Sequence, residues 1–432
     1  MCIKWVTGRA FRGYGKVKRL TTSITILASL QTLTVGSAFA YEQSPIQFAG
    51  FNVVPKVTLT ESYTDNLLQD ADNEINTWLT HLKPEVLLDK QYGLDRYSLS
   101  YGLSHKNYSA KGRDTITDHK FGAGATFDLG TRHRIATYAK YALLHEERGR
   151  DFSIGYGDQL KEPTPYDTLN ASLKYTFGAR TAQANLDFFT SYYDIEYDSV
   201  YFDELNIDED DNIPPPDENF DVTADRNHDK IKFGSTLRYK LGAFTDVSVT
   251  LAFANTAYET NRMFEPSLDN DEFSVSSRFA WQGTAMTTGY VDLGYSEKSF
   301  DADERDNGDG IRWKVGVIWK PLTYSNFDFS TARDVTEPEG QGSYIENTNV
   351  NLSWHHNWLE RLGTRLKASY SEDEYGDTDR EDDNNIYSAS VLYEMRRNLN
   401  FTLSLSNYER DSNYNNLDYT ENRASLSVSY HL

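Results

Sequence analysis

Histidines, carboxylates and basic side chains are the groups in this sequence that could carry chemistry, and their spacing decides which kinds are open to them. Thiol chemistry falls away first, because the only cysteine is Cys2 at the extreme N-terminus. Of the nine histidines, two are adjacent, His355 and His356, and Asn357 follows. Adjacent residues on a strand point to opposite faces, so this pair cannot converge on one metal or one serine. His105, His119, His133 and His145 fall on separate segments without a partner at any recognisable spacing. Neither an enzyme nor a cofactor site is therefore expected. Carboxylates collect in Asp208 to Asn212, before Pro214, Pro215 and Pro216, and again in 301 to 310 and 373 to 383. The stretch 303 to 308 approaches a calcium loop, but Arg305 stands where a ligand is required. These segments are expected to be solvated loops, with loose divalent-cation binding beside lipopolysaccharide as the alternative.

The basic residues are ordered differently. Lys232, Arg238 and Lys240 share one face of a segment, Arg312 and Lys314 a second, and Arg365 and Lys367 a third, with Arg134, Lys140, Lys174 and Arg278 elsewhere. Acidic counterparts at the same phase are fewer: Asp187, Asp246, Asp292 and Asp328. Each of these charges alternates with apolar neighbours, so whatever element carries them must have one apolar face and one wet face.

That element is a β-strand, repeated. Tyr97, Leu99, Tyr101 and Leu103 alternate with Ser98, Ser100, Gly102 and Ser104, and Val247, Val249, Leu251 and Phe253 alternate with Ser248, Thr250 and Ala252. Eighteen such segments run from 55–65 to 418–431, with sixteen the lower bound on the count. Short turns near 130, 179, 242, 283, 321 and 397 alternate with long acidic connectors, among them 148–165, 198–227, 300–309 and 375–384. An even strand number with short turns on one side and long loops on the other is the pattern of a transmembrane antiparallel β-barrel, turns in the periplasm and loops outside the cell. Closure is obligatory there, since open strand edges in hydrocarbon leave backbone groups without partners. The basic residues above then become lumen charges, because Arg or Lys on the lipid face at mid-depth costs about 2 to 4 kcal/mol. A net basic wall favours anions.

Composition agrees with this architecture. Thirty Tyr, 22 Phe and 7 Trp make 14% aromatic residues, in a chain whose mean hydropathy is only −0.64. Trp78, Trp281, Trp313, Trp319, Tyr375 and Tyr393 are expected in girdles at the membrane interfaces. In the last strand Leu426, Val428, Tyr430 and Leu432 face one way, which resembles the C-terminal assembly signal read by the barrel-assembly machinery, with Leu432 in place of the usual terminal Phe.

Residues 1–40 carry six Lys and Arg, no acid, an apolar run from Leu20 to Val35 and the small-residue site Ala38-Phe39-Ala40. This is the order of a secretory signal peptide, cleaved before Tyr41. A periplasmic segment 41–54 and a barrel 55–432 complete the expected organisation. Removing the six basic residues from a chain of formal charge −22 leaves −28, which argues against nucleic acid as a partner.

Pro55-Lys-Val57-Thr-Leu59-Thr-Glu61-Ser-Tyr63-Thr-Asp65-Asn66-Leu67 resembles the opening strand of the putative beta-barrel porin 2 family, an extended segment ending in Tyr-x-Asp-Asn-apolar. Members are often encoded in exopolysaccharide or capsule clusters. The resemblance implies an outer-membrane channel exporting a polysaccharide, with periplasmic export components as partners. A diffusion porin for small solutes, or a structural or adhesive barrel whose lumen is filled by 198–227, is the alternative.

Overall fold

The computed structural model describes residues 46–431 except 111, 202–204, 206–219, 262–264, 285, 339 and 341. The leader 1–40, Leu432 and the acidic run Asp208 to Asn212 with its prolines lie outside the described residues.

A short strand β1 (Ile46–Phe48) turns back through Ala49 and Gly50, both at positive φ, onto β2 (Phe51–Thr64). Positive φ at both central residues makes a hairpin whose twist matches that of its strands. There follow β3 (Thr77–Tyr92), β4 (Asp95–Tyr108), β5 (Ile116–Leu129), β6 (His133–Glu146), β7 (Thr164–Phe177) and β8 (Ala184–Tyr197). Next come β9 (His228–Lys240), β10 (Thr245–Tyr258), β11 (Asn270–Thr284), β12 (Thr287–Phe300), β13 (Gly308–Leu322) and β14 (Ser325–Thr336). The last are β15 (Ile345–Leu359), β16 (Leu362–Tyr375), β17 (Glu381–Arg396), β18 (Leu399–Ser412) and β19 (Tyr419–His431). From β2 onward each strand pairs antiparallel with the next, and β19 pairs with β2 from Arg423↔Thr64 to His431↔Lys56. The result is a closed barrel of eighteen strands. Each expected segment has its strand, and the first begins at Phe51, ahead of the expected 55.

Connections at one end are tight, for example 93–94, 130–132, 323–324, 360–361 and 397–398, and at the other end long, for example 65–76, 147–163 and 198–227. The two ends are called the turn end and the loop end.

The burial pattern is inverted relative to a soluble protein. Leu59, Leu99, Leu173, Phe233, Leu251, Leu293, Leu352 and Leu403 are exposed on the outer face. The largest fully buried side chains are polar: Arg148, Lys298, Glu421, Asn66 and Asn270. A leucine moved from water to an apolar medium is stabilised by about 2 kcal/mol, so the outer band is matched to hydrocarbon. Strands β2 to β19 are 12 to 16 residues long, more than the roughly ten a bilayer needs. The excess stands beyond the apolar band, where the outward Tyr295 and Tyr370 hydroxyls donate to Asp309 (2.6 Å) and Asp383 (2.6 Å).

At the turn end an outer belt of rings joins Trp319, Phe327, Trp354, His356, Trp358 and Tyr324, with neighbouring centroids 4.3 to 6.4 Å apart. At the loop end Trp78, 56% exposed, tilts against Tyr63. Tyr375 is not in either girdle. It is buried on the inner face, its ring 4.2 Å from the Arg380 guanidinium and its hydroxyl donating to Asp382 at 3.2 Å. Its odd phase in β16, one residue after the outward Glu374, turns it inward.

Candidate functional site

Inside the loop end, the connection 147–163 between β6 and β7 folds over the lumen and is locked by one arginine. Arg148 is 2% exposed. Its Nε and Nη2 donate to the two Asp114 carboxylate oxygens at 2.6 and 2.9 Å, and Nη1 donates to the Gly157 and Leu160 carbonyls at 3.0 and 3.1 Å. Gly149 follows at φ +79°, pressed so close to the Leu68 carbonyl that no Cβ fits; glycine alone meets both demands. Phe152 stands edge-on to Tyr197 (5.7 Å) and 4.5 Å from the Arg226 guanidinium. Arg150 donates to Glu421 on β19 at 3.3 Å, and Glu421 also accepts from Thr64 and Gln69.

The same connection also approaches the loops of distant strands. A Cβ on Gly155 would strike Leu417, in the connection between β18 and β19, and one on Gly340, between β14 and β15, would sit 3.9 Å from the Phe152 carbonyl. In an eighteen-strand ring β14 and β15 lie opposite β6. Residues 148–160 thus form a hub inside the loop end, packed against Leu68, Asp114, Arg226 and Leu417 from four other connections. At its root, burial pushes the Glu147 carboxyl up, but Lys106 and Arg150 outweigh it and hold the group at about 2. Elsewhere in the crown Arg305, 8% exposed, donates to Glu265 (3.1 Å), the Pro266 and Ser267 carbonyls and Ser343 (2.8 Å).

Below the hub, β9 to β14 carry a charged patch on the inner wall. Lys230 meets Glu272 (3.3 Å) and Glu337 (2.9 Å), and Lys298 meets Glu337 (2.7 Å). Arg312 bridges Glu272 and Asp334 at 3.0 Å each, and Lys314 meets Asp334 at 2.9 Å. Lys232 lies in the same patch, two residues from Lys230 along β9. On β15 an amide ladder climbs the inner wall: Asn351 donates to Asn349 (3.0 Å), Asn349 to Asn347 (2.7 Å) and Asn347 to Asp373 (2.5 Å).

A family model described as putative beta-barrel porin 2 matches residues 39–432. The chain belongs to this family. Among solved structures, the porin-2 barrel resembles OpdK of Pseudomonas aeruginosa, crystallised with vanillate, at 10% identity and a TM-score of 0.47, over 88% of this chain and 98% of that one. OccAB2 of Acinetobacter baumannii gives the same identity, coverage and TM-score. The FrpB iron transporter of Neisseria meningitidis gives 11% identity and 0.44, over 82% of this chain and 62% of that one. No curated protein matches the chain. By family the chain is a porin-like β-barrel.

The eleven basic residues read from the sequence all sit at the inward phase of their strands, but they do not form one zone. Lys232, Arg312 and Lys314 belong to the patch toward the loop end. At the turn end Arg238 pairs with Asp187 (2.7 Å), Arg134 donates to Asn185 (3.3 Å), Lys240 donates to the Arg180 carbonyl (3.0 Å), and Lys174 stands opposite Ala136. Arg278 lies 4.0 Å from Asp292 and over the Tyr290 ring. Lys140 faces Gly122 and Asn170 at mid-height. Arg365 and Lys367 stand on the opposite wall, across from His355 and Ser353. Leu426, Val428 and Tyr430 share the outer face of β19 beside Leu59 and Val57.

Sequence reasoning missed the hub and the acids Glu272, Asp334 and Glu337. Asp334 follows Asp328 at the same strand phase, and the pattern could have shown it. Nothing local marks Glu337 or Arg148, whose partners come from strands and loops distant in sequence. Arg305, which spoils the calcium-loop pattern, ties the crown together instead.

Proposed function

We propose that this porin-2 barrel is a diffusion channel of a Gram-negative outer membrane for small hydrophilic solutes, anions favoured, and not an enzyme. The observation that carries this reading is the hub: residues 148–160, anchored by the buried Arg148, fold inside the loop end against Leu68, Asp114 and Leu417 of three other connections. A solute of a few heavy atoms passes beside such a hub, whereas a polymer needs it moved aside. The preference for anions rests on the wall from β9 to β14, where Lys230, Lys232, Lys298, Arg312 and Lys314 face Glu272, Asp334 and Glu337. Five cations against three carboxylates leave an excess of positive charge close to the passage, inside the ~8 Å over which it acts in physiological salt. Insertion would follow recognition of Leu426, Val428 and Tyr430 by the barrel-assembly machinery, and lipopolysaccharide would surround the outer half.

Export of an exopolysaccharide, with periplasmic export components, is the second reading. The amide ladder Asn351, Asn349 and Asn347 favours it, since a row of amides suits the hydroxyls of a sugar chain. Liposome swelling separates the two. Uptake that falls steeply between monosaccharides and short oligosaccharides supports the small-solute porin, and equal permeability to both rejects it. Reversal potentials in planar bilayers test charge preference: Lys232→Glu with Lys314→Glu should move selectivity toward cations, and no movement removes the anion part.

A further inference from the structure

The inner wall formed by β16 to β19 carries short hydroxyls and two cations that nothing neutralises. Arg365 and Lys367 flank the outward Leu366 on β16, so both project into the lumen, and both are exposed there. Among the described residues neither is drawn into an ion pair or a hydrogen bond. Asp328 of β14, in register with Ser353 and through it with Lys367, pairs with neither. From these cations the strand register runs into rows of serine. Arg365 stands opposite Ser390, Ser390 opposite Ser404, and Ser404 opposite Ser425. One row nearer the loop end, Lys367 stands opposite Ser388, and Ser388 opposite Ser406. All five serines are half-buried at the inward phase of their strands, and no carboxylate interrupts the rows. Neighbouring strands lie about 4.8 Å apart and successive inward residues about 6.7 Å, so a small solute against this wall meets several hydroxyls at once. Ser390 and Ser404 bond each other at 2.9 Å. A hydroxyl has one donor and two acceptor positions, so both keep capacity for a solute. On the wall from β9 to β14, by contrast, Lys230, Arg312 and Lys314 are each matched by a carboxylate.

We infer that Arg365, Lys367 and the serine rows beside them form a binding track for a small polyhydroxylated anion, an acid group on a sugar-like body. This rests on the reading of the protein as a small-solute channel and names the class of its solute. The Arg365 guanidinium offers a planar fork that takes both oxygens of an acid group, and Lys367 on the same face adds a second positive charge. The serines suit the rest of the solute, because hydroxyl meets hydroxyl with each group able to donate and to accept. A simple anion uses only the cations and a neutral sugar only the serines. A solute with both groups engages the whole wall. Short side chains also leave it room to reach that wall. The hydroxyls repeat along the surface without closing into a pocket, and a run of weak, similar sites lets a solute bind well enough to enter and loosely enough to leave. Sugar acids and sugar phosphates share this chemistry, since the guanidinium fork fits either head group.

The test uses the full-length barrel in planar bilayers, gluconate as the probe, and acetate and glucose as controls that each keep one half of its chemistry. Gluconate should interrupt the potassium chloride current in a saturable way, half-blocking at a concentration about tenfold or more below that of either control. Arg365→Gln with Lys367→Gln should raise the gluconate concentration needed by about tenfold or more. Ser390→Ala with Ser404→Ala should weaken block by gluconate and glucose and leave acetate unchanged. Sorbitol phosphate separates the two head groups: tighter block than gluconate assigns the track to sugar phosphates, and weaker block assigns it to sugar acids. Gluconate no more effective than acetate, or an unchanged gluconate block in the double cation variant, overturns the proposal. Should the variants fail to assemble, the wild-type comparison of gluconate with acetate and glucose decides alone. A barrel that conducts no ions refutes the channel reading, yet calorimetry of gluconate on the detergent-solubilised barrel, with and without the two cations, still tests the track.

Discussion

Replacing Arg148 with Ala removes the four hydrogen bonds that fix the hub, and the structure allows the effect to be sized. Two of the bonds are charge-assisted and run to Asp114, itself 4% exposed. Removing one partner of a buried ion pair costs about 3 to 5 kcal/mol, chiefly because the other charge is left uncompensated. At about 1.4 kcal/mol per decade this shifts the closed hub toward open by a factor of roughly 100 or more. The strand ladders do not include Arg148, so the barrel should still form and remain heat-modifiable. Hydrogen exchange over residues 148–160 should accelerate by about two orders of magnitude, and single-channel conductance should rise. The double variant Arg148→Met with Asp114→Leu should recover much of the protection, since an apolar pair of similar size leaves no charge stranded. Wild-type exchange rates and conductance in Arg148→Ala would falsify the view that this residue holds the constriction.

Three further outcomes are expected. The mature protein should migrate differently on a gel before and after boiling, and identical mobility would contradict a closed barrel. Tyr430→Asp, which places a charge on the outer face of the closing strand, should lower outer-membrane levels through failed assembly and degradation; normal levels in membrane fractions would show that the ring is dispensable. The Glu147 carboxyl is held at about 2 against an ordinary 4.5, so its contribution to the hub is full above 4.5 and is lost as pH falls toward 2. Hub protection factors, taken relative to the intrinsic exchange rate at each pH, should be flat between pH 7 and about 5, fall below that, and lose this acid limb in Glu147→Gln. A loss of protection already complete at neutral pH would exclude Glu147 as the source.

The strands were legible because each records its environment in its own period: Leu99 and Tyr101 outward, Ser98 and Ser100 inward, repeated around the ring. Turn and loop lengths then supplied the two ends. Inward charges such as Arg312 and Lys314 were legible by the same parity, since a strand residue has only two directions available. Their grouping was not. Whether Arg312 stands near Arg238 or near Asp334 depends on the stagger between strands, which no single segment encodes. The hub was hidden for a related reason. Arg148 finds Asp114 across another loop, and Arg150 finds Glu421 on the last strand. Tyr375 shows the local failure, where an aromatic near a strand end was assigned by type although its phase pointed inward.

The seam between β19 and β2 sets an order of events. No loop joins these strands, so their alignment rests on the ladder itself and on inward pairs such as Thr58 with Ser429 and Thr60 with Ser427. Glu421, just above that seam, takes Thr64 from the first barrel strand and Arg150 from the hub. The hub's anchor on β19 therefore comes into being only once the final strand has been delivered and docked. A half-built barrel holds the hub by Asp114 and not yet by Glu421, and the contact with β19 that completes its anchoring forms in the same act that seals the barrel.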